Sequence, residues 1–143
     1  MLQLLMPDQV TPYWDEIRGG LTAALPPGPA DREQRLLAKI LEGLVQVWLS
    51  YRREDEKAVV DGVCLTSVVE DHIHDQRNLL LYALWAVGET HLSTWREGMD
   101  ALKKYARGRY CSRVVGYTDQ EKVIGLAKAT GGVARYTFVT WET

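Results

Sequence analysis

The chain of 143 residues has the composition of a soluble globular protein. Hydrophobic residues make up 46% of it, charged residues 25%, and the net charge is −2, a balance that argues against nucleic-acid binding as a bulk property. No apolar run approaches the roughly 20 residues of a membrane-spanning helix, and the N-terminus does not have the pattern of a signal peptide. We expect a cytoplasmic protein without a membrane partner, folded as one domain over residues 1–143.

Two cysteines and one histidine cluster are the candidate reactive groups. Cys64 and Cys111 lie in apolar, strand-like runs, so we expect two reduced, buried thiols rather than a disulfide framework. His72 and His74 have acids on either side, and their H-x-H spacing can bind zinc from a strand. The cluster falls at a predicted hairpin turn, however, where solvated charge is normal, and we predict no metal site.

The first third of the chain predicts a short strand followed by two helices. Residues 1–5 are apolar, and residues 12–25 have apolar side chains at helical spacing. A loop over residues 24–31 contains three prolines, which cannot continue a helix. Asp31 is then the predicted N-cap of the second helix in a capping box, and Gly43 is its predicted C-terminal cap.

Three strands are predicted next. Residues 45–52 alternate between apolar and polar side chains, and residues 58–71 are rich in β-branched residues, with a bulge expected at Gly62. These two runs flank a charged turn and predict a hairpin. Residues 77–88 form an apolar run typical of a strand that is buried on both faces.

The last third predicts alternating helices and strands. Residues 94–109 are amphipathic, residues 111–117 are strand-like, and residues 120–130 follow a second capping box at Thr118. Residues 133–141 predict a closing strand. The order is therefore β-α-α-β-β-β-α-β-α-β, an α/β (α+β) fold with a mixed sheet and helices on both faces.

This order resembles the GCN5-related N-acetyltransferases (GNAT family), most closely from Leu79 to Trp141. In that family two neighbouring strands splay apart, and the pantetheine arm of acetyl-CoA lies in the gap. The resemblance implies that the arm is lined by Trp85, Ala86 and Val87. The family's loop of the form Q/R-x-x-G-x-G/A, which wraps the pyrophosphate, would fall on Arg96-Glu97-Gly98-Met99-Asp100-Ala101, with Asp100 in place of the second glycine.

The remaining family landmarks are matched only in part. Gln120 takes the place of an asparagine at the start of the following helix, and Ala127 takes the place of the tyrosine that protonates the leaving thiolate. Tyr117, at the end of the preceding strand, is the remaining candidate for this general acid. Nothing in the sequence selects a general base among the acids and histidines near strand ends, which are Glu70, Asp71, His72, His74 and Glu89.

Two functions follow from the resemblance. The first is an N-acetyltransferase that uses acetyl-CoA and acts on a small-molecule or protein amine. The alternative is a non-catalytic interaction or structural protein of the same fold, for example one encoded by a phage or prophage, that no longer binds acetyl-CoA. Lys103, Lys104 and Arg107 leave a basic helix face as a third, nucleic-acid-binding alternative, and self-association into a homo-oligomer stays open.

Overall fold

The computed structural model describes residues 1–25 and 28–143, except for the side chain of Leu21. Within these residues it contains one mixed sheet with the strand order β1-β2-β3-β4-β5 and four α-helices. The strands are β1 (Leu2–Leu5), β2 (Gln46–Glu54), β3 (Lys57–Asp71), β4 (Gln76–Ala86) and β5 (Arg113–Gly116). The helices are α1 (Trp14–Ala24), α2 (Arg32–Leu41), α3 (Leu92–Gly108) and α4 (Glu121–Ala129).

The two predicted N-terminal helices are both present. Two short 3-10 turns, Pro7–Gln9 and Thr11–Tyr13, lead from β1 into α1. Of the proline-rich loop that was predicted to follow α1, residues 26 and 27 lie outside the described part of the chain.

Helix α2 is capped as predicted at its C-terminus but not at its N-terminus. Gly43 has φ +79°, and the Leu44 N–H donates to the Lys39 carbonyl oxygen at 3.0 Å, which is the pattern of a glycine C-cap. Asp31 occupies the N-cap position, but its side chain accepts no capping hydrogen bond from a described residue. Its Oδ2 instead accepts from Arg35 Nε at 2.7 Å, so the predicted capping box does not form.

The three long strands form two antiparallel hairpins, as predicted. β2 pairs with β3, and a register shift opposite Ser50 and Tyr51 makes Asp61, beside the predicted Gly62, the additional residue of a β-bulge. β3 pairs with β4 and has a second register shift, because Leu65 lies opposite Ala83 whereas Thr66 lies opposite Leu81. Tyr82 is therefore the additional residue of a bulge in β4 that the sequence analysis did not predict.

The sheet is covered by helices on both faces, which confirms the predicted fold class. On one face Ile17 of α1 and Ile40 of α2 pack against the first core cluster, which we call the α1–α2 core. On the other face Leu102 and Ala106 of α3 pack against Trp48, Cys64 and Leu79, and we call this cluster the α3 core. None of the described helices is long and apolar enough to cross a membrane.

The starts of α3 and α4 differ from their predicted positions, and one predicted strand is absent. α3 begins at Leu92 rather than Thr94. α4 begins at Glu121 and the Thr118 Oγ1 accepts from the Gln120 N–H at 3.1 Å, so Thr118 stabilises the turn before the helix rather than capping it. Residues 133–141, predicted as the closing strand, form no strand with any part of the described chain. A strand-like composition needs a neighbouring strand to pair with, and composition alone does not supply one.

Candidate functional site

The two parallel strands of the sheet separate after only four residue pairs. β4 and β5 pair from Asn78 with Arg113 to Leu81 with Gly116. β4 then continues to Ala86, whereas β5 ends. Beyond Leu81, the edge of β4 that faces β5 has no partner strand among residues 1–25 and 28–143. We call this opening the fork. Free strand N–H and C=O groups at the fork are available to a ligand that can bond like a strand.

The β4 bulge lies at the base of the fork. Tyr82 is the first residue of β4 beyond the last β4–β5 pair, and Tyr117 is the first residue of the chain beyond β5. Both side chains are exposed, at 56% and 66%. The bulge therefore lies where β4 loses its parallel partner. At this one place the backbone of β4 changes direction and has no partner strand.

The upper part of β4 presents apolar surface on the α3 face. Leu84 lies opposite Cys64 of the α3 core, and directly opposed residues of an antiparallel pair lie on the same face. Cys64 is buried, whereas Leu84 and Val87 are 39% and 50% exposed. Leu84 is therefore uncovered apolar surface on the α3 face beside the fork, and Val87, the first residue after β4, is also uncovered.

The N-terminus of α3 has free backbone donors. The first backbone hydrogen bond of α3 runs from the Trp95 N–H to the His91 carbonyl oxygen, at 3.0 Å. The N–H groups of Leu92, Ser93 and Thr94 therefore have no acceptor within the helix. His91, at the N-cap, provides no side-chain capping bond within the described chain, and the first turn contains no acidic residue. Such a helix end favours an anion through both its N–H groups and its dipole.

The turn between β4 and α3 contains one residue whose conformation requires glycine. Gly88 has φ +70°, in the left-handed region that residues with a Cβ rarely adopt. The Val87 N–H, one residue earlier, donates to the Asp61 carbonyl oxygen at 2.8 Å and so holds the end of β4 against the β3 bulge. The turn that leads to the α3 N-terminus is thus fixed from both β3 and β4.

The residues of the predicted phosphate loop lie inside α3 and not at its free N-terminus. Arg96 to Ala101 lie within α3, beyond its first turn, and helical amides have partners inside the helix. Gly98 packs near Leu2, to whose Cδ2 a Cβ at this glycine would be 3.7 Å distant, and Met99 packs on the α3 core. These residues cannot supply the free N–H groups that the resemblance assigned to them, because the helix begins about one turn earlier.

Glu97 and Asp100, the acidic residues near Arg96, also differ from their predicted roles. Glu97 pairs with the N-terminal ammonium group at 3.8 Å. Asp100, expected to repel a pyrophosphate, is more than two turns away from the N-cap. It therefore does not lie at the candidate anion site. Arg96 is exposed on the second turn of the helix, and helical side chains lean towards the N-terminus.

Trp85, one of the three predicted lining residues, points away from the α3 face. A Cβ on Gly20 of α1 would be 2.9 Å from the ring atom Cε3 of Trp85, so the indole packs on α1. Ala86 pairs with Gly62 at the end of the β3–β4 ladder and is exposed. Of the three residues, Ala86 and Val87 lie beside the fork, and Trp85 closes the opposite face.

A hydrogen bond joins the C-terminal end of α4, the helix that follows the fork, to α3. Trp95, buried in the first turns of α3, donates from Nε1 to Thr130 Oγ1 at 3.2 Å. Thr130 is the C-cap residue of α4 and bonds back to the Leu126 carbonyl oxygen at 2.9 Å. Gln120, the residue that matches the family asparagine, is the N-cap of α4. Tyr117 does not bond to Gln120; its ring stacks on Phe138, with 4.7 Å between the ring centroids.

The histidine cluster lies at the opposite end of β4 from the fork. His72 and His74 are in the β3–β4 turn, and the Asp71 carboxylate bonds to His74 Nδ1 at 2.9 Å. This hydrogen bond is the main cause that lowers the pKa of Asp71 below its usual value. Among the described residues, no group of three or more His, Cys, Asp or Glu side chains is arranged to hold a metal ion.

Both thiols are buried and reduced. Burial raises the pKa of the Cys64 thiol above its usual value, so this group is an uncharged part of the α3 core rather than a nucleophile.

Asp61 is a carboxylate that the sequence analysis did not single out: its Oδ1 is buried and has no hydrogen-bond partner in the described chain. The sequence feature that could have indicated Asp61 is an acidic residue next to a glycine within an apolar strand.

A forked mixed sheet beside an uncapped helix N-terminus is the architecture of the GNAT fold, and solved structures support this assignment. Aminoglycoside N-acetyltransferase AAC(6')-Iy, in complex with a bisubstrate analogue of CoA, is 13% identical with a TM-score of 0.75, covering 100% of this chain and 97% of that chain. An aminoglycoside acetyltransferase from an uncultured soil metagenomic sample, in complex with sisomicin, is 12% identical with a TM-score of 0.72, covering 100% and 94%.

A third similar structure is that of an enzyme whose name states a protein substrate. The ribosomal-protein-alanine N-acetyltransferase from Brucella melitensis biovar Abortus 2308 is 12% identical with a TM-score of 0.69, covering 100% of this chain and 99% of that chain. No protein-family model and no curated protein matches the sequence. The chain therefore has a GNAT-like fold, and at these identities the likeness concerns the fold alone.

The residues at the fork fit the chemistry of acetyl-CoA. The pantetheine arm has amide groups that can bond to the free edge of β4, and apolar segments that can pack on Leu84 and Val87. The pyrophosphate is an anion, and the free N–H groups at Leu92–Thr94 form an anion site without an acidic side chain in the first turn. The fit depends on these features of the chain and not on the motif that the sequence analysis placed at Arg96.

Proposed function

We propose that the protein is an N-acetyltransferase that transfers the acetyl group of acetyl-CoA to an amine of a small molecule or a protein. The observation that carries this proposal is the coincidence of the β4 bulge, the end of β4–β5 pairing at Leu81 and Gly116, and the uncapped N-terminus of α3. Each feature has other uses, but together they suit an extended, amide-containing ligand with an anionic end. The shared fold with N-acetyltransferases supports the same reading.

The geometry supports a specific set of binding residues. The N–H groups of Leu92, Ser93 and Thr94 bind the pyrophosphate, and the Arg96 guanidinium, one turn further along, adds a charge-assisted contact. Leu84 provides apolar surface for the pantetheine arm, with Ala86 and Val87 beside it at the end of β4. Gln120, at the α4 N-cap, keeps the amide side chain that the resemblance assigned to the second helix of the site.

The bulge residues take part in the chemistry at the base of the fork. When bound, acetyl-CoA supplies a thioester whose carbonyl carbon is attacked by the neutral amine. A C–N bond forms, the C–S bond breaks, and the nitrogen loses one proton to water while the sulfur gains one. Unpaired backbone N–H groups of β4 at the bulge stabilise negative charge on the carbonyl oxygen. Tyr117, the first residue beyond β5, holds the proton that the leaving sulfur takes, because the usual tyrosine position is Ala127.

Calorimetric titration with acetyl-CoA and desulfo-CoA tests the cofactor site directly. We expect micromolar binding by the wild-type chain and a Kd raised at least about tenfold by Ser93→Asp, because a carboxylate in the first turn of α3 repels the pyrophosphate and competes for its N–H groups. Ser112→Asp is the matched control: Ser112 is exposed at the other end of β5, so this variant should bind like wild type.

The result also separates the two functions that the sequence left open. Binding that is lost in Ser93→Asp and kept in Ser112→Asp justifies an acceptor screen that includes aminoglycosides and N-terminal peptides. No binding of either ligand at millimolar concentration would contradict the proposal and favour the non-catalytic interaction protein. Equal weakening by both variants would show that α3 does not carry the anion site.

A further inference from the structure

A cavity of about 230 Å³ lies at the end of β4 that is opposite to the fork. It is placed between the β3–β4 turn and the residues that join α3 to β5, and we call it the turn cavity. Its volume is below the roughly 300–1,000 Å³ of pockets that hold drug-sized ligands, so it suits a small solute. The charged and polar residues that line it include Glu70, Asp71, His72, Asp75, Arg77 and Ser112.

Arg77, the second residue of β4, has a positive charge that no described acidic side chain neutralises. Its side chain is half-buried, and its Nε is buried without a hydrogen-bond partner in the described chain. Glu70 lies directly opposite Arg77 in the β3–β4 register but approaches His72 Nε2 at 3.9 Å instead. None of the ion pairs between described residues includes Arg77. A guanidinium that is partly removed from water without a counter-charge favours contact with an anion.

Ser112 places a hydroxyl group near Arg77. The Ser112 N–H donates to the Arg77 carbonyl oxygen at 2.7 Å, so the two residues are neighbours just before the paired part of β4 and β5 begins at Asn78 and Arg113. A guanidinium and a hydroxyl are both hydrogen-bond donors, and arginine binds planar carboxylates through two parallel hydrogen bonds. This side of the turn cavity therefore suits a carboxylate.

The other side of the turn cavity is acidic. Asp71 already has a partner, because its carboxylate bonds to His74 Nδ1 at 2.9 Å. Asp75, in the turn at φ +51°, forms no side-chain hydrogen bond or ion pair with another described residue. A phosphate with two negative charges would be repelled by Asp75 and Glu70, whereas a simple cation would leave Arg77 without a partner. The cavity therefore favours a ligand that has one charge of each sign.

We propose that the turn cavity binds a free α-amino acid. Its carboxylate contacts Arg77 and Ser112, and its ammonium group contacts Asp75. An α-amino acid has both charges within a few atoms, so one small molecule neutralises two side chains that do not pair with each other. This site is separate from the proposed acetyl-CoA site, which begins beyond Leu81 at the other end of the β4–β5 pairing.

NMR titration of the isotope-labelled full chain with the standard L-amino acids tests the proposal. We expect at least one of them to bind with a Kd of about 1 mM or below, with amide shifts concentrated at residues 70–77 and 110–112. The methyl ester of that amino acid lacks the carboxylate, and its N-acetyl derivative lacks the ammonium group. Each derivative should bind at least about tenfold more weakly, because one of the two charged contacts is lost.

Two matched variants test the acidic side of the cavity. Asp75→Asn removes the charge, and the turn is kept because asparagine tolerates the left-handed region. It should raise the Kd of the amino acid at least about tenfold. Asp55→Asn is the control, since it makes the same change at φ +49° in the β2–β3 turn, and it should bind like wild type. Arg77→Gln tests the basic side and should raise the Kd by a similar factor.

Several results would overturn the proposal. One is the absence of shifts with every amino acid at millimolar concentration. A methyl ester that binds as well as the amino acid would show a cation site only, and an equally tight N-acetyl derivative would show an anion site only. Equal affinities of Asp75→Asn and Asp55→Asn would also contradict it. Ser93→Asp should bind the amino acid like wild type, so the outcome is independent of acetyl-CoA binding at α3.

Discussion

Leu81 of β4 and Gly116 of β5 are the last residues that pair across the two parallel strands, and they fix where the sheet opens. On one side of this pair the strands bury Leu79 in the α3 core. On the other side, β4 bulges at Tyr82 and continues without its parallel neighbour. The same short stretch of β4 thus serves the core below the pair and the proposed site above it.

A first prediction concerns the proton at the base of the fork. Tyr117→Phe should lower kcat about 100-fold, the order expected for one general acid, and leave the Kd of acetyl-CoA unchanged, because the hydroxyl is not part of the anion site. Tyr110→Phe is the control, since Tyr110 is also exposed but follows the C-terminal end of α3. Steady-state kinetics with an accepted amine measures both. An unchanged kcat in Tyr117→Phe would remove this residue from the mechanism.

A second prediction compares two neighbouring glycines of α1. Gly20→Ala should lower the free energy of unfolding by about 1–3 kcal/mol, because its Cβ would overlap the Trp85 ring at 2.9 Å. At Gly19 a Cβ meets nothing within 4 Å, so Gly19→Ala should raise that free energy by about 0.5–1 kcal/mol through helix propensity alone. Urea denaturation measures both. Equal effects of the two substitutions would show that Trp85 does not pack on α1.

A third prediction concerns a buried polar network that joins β2 to β3 beside the α3 core. Thr66 Oγ1 accepts from Trp48 Nε1 and donates to Gln46 Oε1, both at 3.0 Å. Thr66→Val should cost about 1–3 kcal/mol, because two buried polar groups lose their partner while the side-chain shape is kept. Ser67→Ala, which removes a solvent-accessible hydroxyl bond, should cost about 0.5 kcal/mol or less. Thermal unfolding of the two variants checks the difference.

A fourth prediction concerns pH and the β3–β4 turn. The hydrogen bond from His74 lowers the pKa of Asp71 in the folded state. A lowered folded pKa contributes stability that is present above the unfolded pKa and is lost as the pH falls through the folded pKa. His74→Ala should therefore raise the Asp71 pKa towards its usual value, but only in part, since the Ile73 N–H still donates to the carboxylate at 3.1 Å.

Carboxyl NMR titration of wild type, His74→Ala and His72→Ala measures this shift. His72 is the control, because it approaches Glu70 at 3.9 Å rather than Asp71. The Asp71 pKa should move upward in His74→Ala and stay in place in His72→Ala. An Asp71 pKa that is the same in all three proteins would show that His74 is not the cause of the lowering.

The sequence by itself determined the elements whose signals are local. The alternation in residues 45–52 and the β-branched residues of 58–71 predicted the β2–β3 hairpin, and Gly43 predicted the end of α2. Side-chain period, composition and a left-handed cap depend on a few neighbouring residues. The order of the elements then sufficed for the fold class. The start of α3 was missed, since His91 provides no side-chain cap within the described chain and the turn before it has no capping motif.

Only the tertiary structure decided where the site lies. The bulge at Tyr82 is a difference of one residue in register between β3 and β4, and the fork is the loss of one neighbour by β4. Both depend on pairing between residues far apart in the chain, which no local pattern records. Residues 133–141 show the same limit in reverse: their composition favours a strand, but a strand forms only when it pairs with a neighbour, and these residues pair with no strand of the described chain.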